Sequence, residues 1–125
     1  MPDIEIKRIY ENPEPQDGYR ALIDRLWPRG VSRSRAALDA WLVELAPSTE
    51  LRKWFGHDPE RWAEFGRRYR AELRSESEAL EALRQRARRG RVTLLTATRE
   101  ARINHAVVLR AVLLKRARAR RSSKA

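Results

Sequence analysis

RVTLLTA (91–97) decides the fold of this chain, because it is a continuous apolar run that begins directly after Gly90. Such a run predicts a buried strand. The preceding segment ALEALRQRARRG (79–90) predicts a helix that ends at the glycine, and TREARIN (98–104) predicts a turn that leads into another helix. HAVVLRAVLLKRA (105–117) is apolar on most sides, which predicts that this last helix is well buried.

Two more strands are predicted near the N-terminus. IEIKRIY (4–10) alternates apolar and polar residues, which is typical of a half-buried strand, and YRALID (19–24) predicts a second strand that is more buried at its end. ENPEPQDG (11–18) between them is rich in proline and acidic residues and predicts a loop. Because this connection is short, the first strand is expected to pair antiparallel or to lie at an edge of the sheet.

The middle of the chain predicts helices. LDAWLVEL (38–45) has apolar residues at helical spacing, and TELRKWFG (49–56) follows a serine that can cap it. A further helix carries an apolar stripe with spacing i, i+3, i+7 and i+11, formed by Trp62, Phe65, Tyr69 and Leu73. The large side chains expected to be buried are Trp41, Trp54, Trp62, Phe65 and Leu73.

The order of these elements predicts a single, helix-rich α/β domain over residues 1–114, with a short, mainly parallel sheet of about three strands flanked by helices. The long helical passage between the second and third strands is sufficient for a parallel crossover. Residues 115–125 are basic and lack hydrophobic periodicity, so they are expected to form a disordered tail.

The composition limits the classes of function. The chain has no cysteine, which excludes disulfides, thiolate catalysis and cysteine-ligated metals. The formal net charge of +11 is unevenly distributed, because all 17 acidic residues precede residue 101 while basic residues continue to Lys124. Binding of RNA or DNA through the basic C-terminal helix and tail is therefore one hypothesis, and a solvated tail without a function is the alternative.

No apolar run near the N-terminus is typical of a signal peptide, and no window is long enough for a membrane span. The sequence therefore favours a cytoplasmic protein without membrane association. It leaves the oligomeric state open.

A candidate site is predicted where two strands end. If the second and third strands are parallel, their carboxyl ends lie at the same edge of the sheet, where ligands bind in open α/β sheets. Arginine suits carboxylate or phosphate because its fork of donors binds two oxygens, and a helix start beside it adds amide donors. The candidate ligand-binding residues are Arg25, Trp27, Arg29, Thr98, Arg99 and Asn104. The candidate catalytic residues are His105, as an acid or base, and Asp24, which would orient the arginines.

Each of these residues also has a structural interpretation. Arg25 could pair with an acid inside the scaffold, Asp24 could fix its loop, and His105 could simply be hydrogen-bonded at a helix start. His57 lies between two helices and is either a polar turn residue or a second acid or base. The two histidines and Asp24 do not match a metal motif, and no nucleotide-binding glycine signature is present, so no cofactor is predicted.

Four segments together resemble a known family: DGYRALIDRLWPRG (17–30), APSTELRKWFGHDPERWAEF (46–65), GRVTLLTATRE (90–100) and NHAVVL (104–109). They are similar to the YeaO-like short branch of domain-of-unknown-function family 488, and the resemblance runs from about Ile6 to Leu113. It implies a compact bacterial or archaeal α/β protein, and it implies no established activity.

Longer relatives in that family carry an Asp-x-Arg after a strand and a Cys-His-Arg near the C-terminal end. Asp24-Arg25 and Asn104-His105 resemble these motifs most closely, but the cysteine is missing here. Many short relatives have a histidine where this chain has Ile103, and this departure disfavours a metal site or a histidine pair. The sequence thus leaves three hypotheses: an anion-binding small-molecule site, a nucleic-acid-binding protein and a protein-interaction module.

Overall fold

The computed structural model describes the backbone of residues 2–124 and the side chains of residues 2–115. Four strands form the sheet: β1 (Ile4–Arg8), β2 (Tyr19–Leu22), β3 (Ala40–Trp41) and β4 (Val92–Thr96). Five α-helices accompany them: α1 (Arg33–Ala36), α2 (Thr49–Phe55), α3 (Trp62–Leu73), α4 (Ser77–Arg89) and α5 (His105–Lys124). Short 3₁₀ turns cover Pro15–Asp17, Val43–Leu45, Pro59–Arg61 and Arg74–Glu76.

The sheet is parallel throughout, with the strand order β1-β4-β2-β3. β4 lies between β1 and β2, and all five of its residues are buried, as its apolar sequence predicts. β1 lies at an edge but is parallel to β4, so the expectation of an edge strand is confirmed and the antiparallel alternative is wrong. The predicted α/β class, with a short parallel sheet flanked by helices, is confirmed.

Residues 38–45 do not form the predicted helix, because they contribute β3 and a 3₁₀ turn instead. Their apolar side chains are divided between two hydrophobic clusters. Trp41 packs against the cluster that contains Leu22 and Leu95, whereas Leu45 belongs to the larger cluster that contains Ile23 and Leu94. Because neighbouring strand residues point to opposite faces, the two clusters lie on opposite sides of the sheet. An extended segment at the edge of the sheet can supply both clusters, and a helix with one apolar face cannot.

The predicted apolar stripe of α3 faces the larger cluster. Phe65, Tyr69 and Leu73 are buried, and the ring of Phe65 stacks on Phe55 with centroids 4.4 Å apart. Trp62 packs at the margin of this cluster and is only half-buried. Trp41 and Trp54 are also half-buried, so of the five side chains expected to be largely buried only Phe65 and Leu73 are buried completely. Each of the three tryptophans lies at the surface with one face on the core.

A close backbone approach fixes the start of β2. Gly18 has φ +66°, and a Cβ at this position would lie 2.2 Å from the carbonyl oxygen of Arg91. The same carbonyl accepts a hydrogen bond from the Tyr19 N–H at 2.9 Å. Only glycine fits this turn, which aligns β2 with the beginning of β4.

A buried ion pair holds the loop before β2. The Asp17 carboxylate accepts a hydrogen bond from Arg20 Nη1 at 2.6 Å and contacts Lys7 Nζ at 3.1 Å. Burial raises the pKa of Asp17, but the hydrogen bond from the Glu14 N–H and the two cations lower it by more, so the pKa lies below its usual value. The carboxyl group is therefore ionised at neutral pH.

Among the side chains of α5 that the structure describes, the last buried one is Leu113, so the first half of this helix is packed as its apolar sequence predicts. None of the helices, over the part of the chain that the structure describes, is long and apolar enough to cross a membrane. The predicted boundary between the domain and its tail lies between residues 114 and 115, where the described side chains end. The disordered tail therefore stays a prediction.

Candidate functional site

Asp24 connects the ends of β2 and β4. It follows β2 by two residues, and its Oδ1 accepts a hydrogen bond from Thr96 Oγ1 at 2.8 Å. Its Oδ2 accepts a hydrogen bond from the Ala97 N–H, also at 2.8 Å. The carboxyl ends of the two strands are therefore adjacent, which confirms the arrangement expected from a parallel crossover.

His105 at the start of α5 contacts the same carboxylate. Its Nε2 lies 2.9 Å from Asp24 Oδ1 and 3.1 Å from the carbonyl oxygen of Ile23. Burial raises the pKa of Asp24, but the hydrogen bonds from His105, Ala97 and Thr96 outweigh it and leave the pKa below its usual value. Asp24 is thus an ionised carboxylate at neutral pH that orients the imidazole, and among the described residues no hydrogen bond joins it to Arg25 or Arg29.

Asn104 fixes the beginning of α5. Its side-chain oxygen accepts a hydrogen bond from the Val107 N–H at 3.2 Å, and its amide nitrogen donates to the carbonyl oxygen of Glu100 at 2.5 Å. The residue is buried and acts as the helix N-cap. The cap places the His105 side chain against the edge of the sheet.

A pocket of about 620 Å³ opens beside the Asp24–His105 pair, at the carboxyl edge of the sheet. This volume lies within the range of small-molecule sites. Of the residues predicted for the site, seven line the pocket: Asp24, Arg25, Trp27, Arg29, Thr98, Asn104 and His105. His57 also lines it, because the turn after α2 folds toward the sheet. Arg99 is exposed and is not part of the lining.

Arg25 and Trp27 serve partly as scaffold. Arg25 Nε donates to the carbonyl oxygen of Pro47 at 3.0 Å, and its Nη2 donates to that of Ala46 at 3.3 Å, so it holds the segment before α2. Trp27 Nε1 donates to the Val31 carbonyl oxygen at 2.6 Å. The scaffold interpretation expected a carboxylate partner for Arg25, whereas the partners are main-chain carbonyls.

Sequence reasoning missed two cations on α2. Arg52 and Lys53 line the same pocket as Arg25 and Arg29 of the loop after β2. Adjacent basic residues on a predicted helix were a visible signal, but the sequence does not show which helical face meets the sheet. The side chains of Arg29, Arg52 and Lys53 make no hydrogen bond or ion pair with any other residue that the structure describes.

The remaining lining is mainly apolar. Phe55, Phe65 and Pro47 contribute buried surface, whereas Leu26 and Tyr10 are exposed beside the pocket. Thr98 adds a hydroxyl oxygen that is buried and has no hydrogen-bond partner in the described part of the chain. The pocket thus combines apolar surface, free cations and one unpaired hydroxyl.

Within residues 2–115, no group of three or more histidine or acidic side chains is arranged to hold a metal ion. His57 and His105 share the pocket lining, but Asp24 is the only carboxylate in that lining.

The sequence was also compared with known proteins. It is 44% identical over 110 residues to an uncharacterized protein of Mycobacterium tuberculosis, with 88% of this chain and 92% of the relative covered. It is 43% identical over 107 residues to the uncharacterized protein YeaO of Escherichia coli, with 86% of this chain and 93% of the relative covered. No solved structure matches the chain significantly.

A family model described as "Inactive DUF488-N3 subclade" matches residues 3–125, which is nearly the whole chain. The similarity to YeaO covers most of the same residues. The resemblance suggested by the four sequence segments is therefore confirmed, and the chain belongs to the DUF488 family as a YeaO-like member.

Proposed function

We propose that this protein binds an anionic small molecule, with a phosphate or carboxylate group, in the pocket at the carboxyl edge of its sheet. The observation that carries the proposal is the charge of the lining, which holds four cations and a single carboxylate. That carboxylate, Asp24, already accepts hydrogen bonds from Thr96, Ala97 and His105. The three cations whose side chains have no partner among the described residues, Arg29, Arg52 and Lys53, therefore lack an internal counter-charge.

A binding role is favoured over a catalytic one. The Nε2 atom of His105 faces Asp24 and the Ile23 carbonyl oxygen, so this nitrogen holds the fold together and does not face a ligand. The subclade that matches the chain is described as inactive, which supports the same choice. The role of the Asp24–His105 pair is then to brace the pocket.

The buried and unpaired hydroxyl of Thr98 also supports a polar ligand. An unsatisfied buried hydroxyl costs about 1–3 kcal/mol, and an oxygen of a bound anion could accept its hydrogen bond. The ligand would thereby remove a cost that the free protein carries.

Thermal unfolding in the presence of benzoate, phenyl phosphate and uncharged benzyl alcohol tests this proposal. A ligand at a hundred times its Kd stabilises a protein by about 2.7 kcal/mol, which corresponds to several degrees in Tm. At least one of the two anions should raise the Tm, and benzyl alcohol should not. Absence of a shift with both anions, or an equal shift with benzyl alcohol, contradicts the proposal.

Paired variants locate the site. Arg29→Gln combined with Lys53→Gln removes two cations from the pocket and should abolish the shift. Arg74→Gln combined with Arg89→Gln changes the net charge equally at two exposed residues outside the pocket and should preserve it. An equal loss of the Tm shift in both double variants would indicate that the net charge of the protein attracts the anion without a specific site.

A further inference from the structure

We propose, on the basis of the function proposed above, that the pocket selects a phosphate monoester with an apolar body over a carboxylate of similar size. Three observations support this selectivity: three cations of the lining have no internal partner, they come from two separate elements, and apolar surface lies beside them. It deepens the proposed function from anions in general to one class of doubly charged ligand.

The cations approach the pocket from two separate elements. Arg29 belongs to the loop after β2, whereas Arg52 and Lys53 belong to α2, and all three line the same pocket. A carboxylate has two oxygens in one plane, which a single arginine fork can satisfy. Cations that two separate elements supply to one pocket suit a tetrahedral group, which presents three terminal oxygens in different directions.

The amount of charge favours the same class. A phosphate monoester carries about −1.5 to −2 charges at neutral pH, whereas a carboxylate carries one. The Asp24 carboxylate is already paired with His105, so the three free cations must be balanced by the ligand or by solvent ions. A dianion balances more of this charge than a carboxylate does.

The apolar surface argues against inorganic phosphate as the ligand. Leu26 is 61% exposed and Tyr10 is 39% exposed, and both lie at the pocket with Phe55 and Pro28. Leu26 and Tyr10 are two of the three large hydrophobic side chains that the described part of the chain leaves exposed. An apolar group on the phosphate would cover this surface and remove it from water.

Four probes separate charge, shape and apolar body in isothermal titration calorimetry at constant ionic strength. Phenyl phosphate has all the proposed features, benzenesulfonate keeps the ring and the tetrahedral group but has one charge, benzoate keeps the ring with a planar group, and inorganic phosphate has no ring. We expect phenyl phosphate to bind at least about tenfold more tightly than each of the other three. Arg52→Gln should weaken phenyl phosphate about tenfold and benzoate much less, and Arg89→Gln should leave both unchanged.

The outcomes distinguish this inference from the function on which it rests. If benzoate or benzenesulfonate binds as tightly as phenyl phosphate, and Arg52→Gln abolishes the binding of that ligand and of phenyl phosphate, the proposed selection of a dianion is wrong and anion binding stands. If inorganic phosphate binds as tightly as phenyl phosphate, the proposed contribution of an apolar group to binding is wrong. If none of the four probes binds, or Arg89→Gln weakens binding as much as Arg52→Gln does, the proposed site itself is refuted.

Discussion

His105 Nε2 lies 2.9 Å from Asp24 Oδ1, so the first residue of α5 is paired with a residue that lies two positions after the end of β2. Both side chains are about 15% exposed, and the same carboxylate also binds Thr96 and Ala97 at the end of β4. One carboxyl group therefore joins two strands and a helix beside the pocket.

Asp24→Ala should destabilise the fold by about 3–5 kcal/mol. The substitution leaves the Ala97 N–H and the Thr96 hydroxyl without their acceptor in a largely buried position, and it leaves the His105 imidazole with the Ile23 carbonyl oxygen alone. Urea unfolding measures the loss, and Glu78→Ala, at an exposed residue in the first turn of α4, serves as the control with a loss of at most about 1 kcal/mol. A loss below about 1 kcal/mol for Asp24→Ala would show that the carboxylate does not hold these elements together.

Acid should remove the contribution of Asp24. The folded-state pKa of this group is below its unfolded value, so ionised Asp24 stabilises the fold fully above about pH 4, and this stabilisation is lost as the pH falls through the folded-state pKa. Asp24→Asn should therefore show a flatter dependence of the unfolding free energy on pH below about 4. Equally steep curves for the wild type and the variant would contradict the lowered pKa.

Gly18→Ala should destabilise the protein far more than Gly90→Ala does. The new methyl group at position 18 would lie 2.2 Å from the Arg91 carbonyl oxygen, and φ there is +66°. At Gly90 nothing lies within 4 Å of an added Cβ, and φ is 178°, which any residue adopts. Thermal unfolding of both variants tests this difference, and similar Tm values would show that the chain can move apart at Gly18.

Phe65→Ala should cost about 3–5 kcal/mol, and Trp62→Ala should cost less despite the larger side chain. Phe65 is 2% exposed and stacks on Phe55, so its loss creates a cavity in the core, whereas Trp62 lies half-buried at the margin of the cluster. Denaturant unfolding ranks the two variants. The opposite order would place the energetic centre of α3 at its N-terminal end.

Removal of residues 116–125 should leave cooperative unfolding intact. The buried residues described in α5 end at Leu113, and the removed segment has no apolar period in its sequence. Circular dichroism during heating provides the measurement. If the full chain binds RNA or DNA and the shortened chain does not, with a strong dependence on salt, the nucleic-acid hypothesis would gain support.

Much of the fold could be predicted because the decisive segments have only one structural solution. RVTLLTA at 91–97 is apolar without helical spacing, and it forms the strand that is buried between β1 and β2. The helix predicted for residues 38–45 is wrong because Trp41 and Leu45 contact different clusters, and this division arises only when the sheet is assembled.

The site was partly predictable for a related reason. Asp24 and His105 were identified because the ends of parallel strands meet at one edge, which topology alone dictates. Arg52 and Lys53 were missed because their position depends on how α2 docks against the sheet, and the local sequence does not encode that angle. Arg99 follows the same strand as Thr98, but only Thr98 lines the pocket.

The position of β4 has a consequence during protein synthesis. Among the described strands, β1 pairs with β4 alone, and β2 makes its longer pairing with β4. Both N-terminal strands therefore emerge from the ribosome long before Val92–Thr96 is translated, and they must wait for their partner while the intervening helices form locally. A nascent chain that stops before Val92 would expose two unpaired strands, which chaperones and proteases recognise. The ribosome must therefore translate about three quarters of this sequence before the sheet can form.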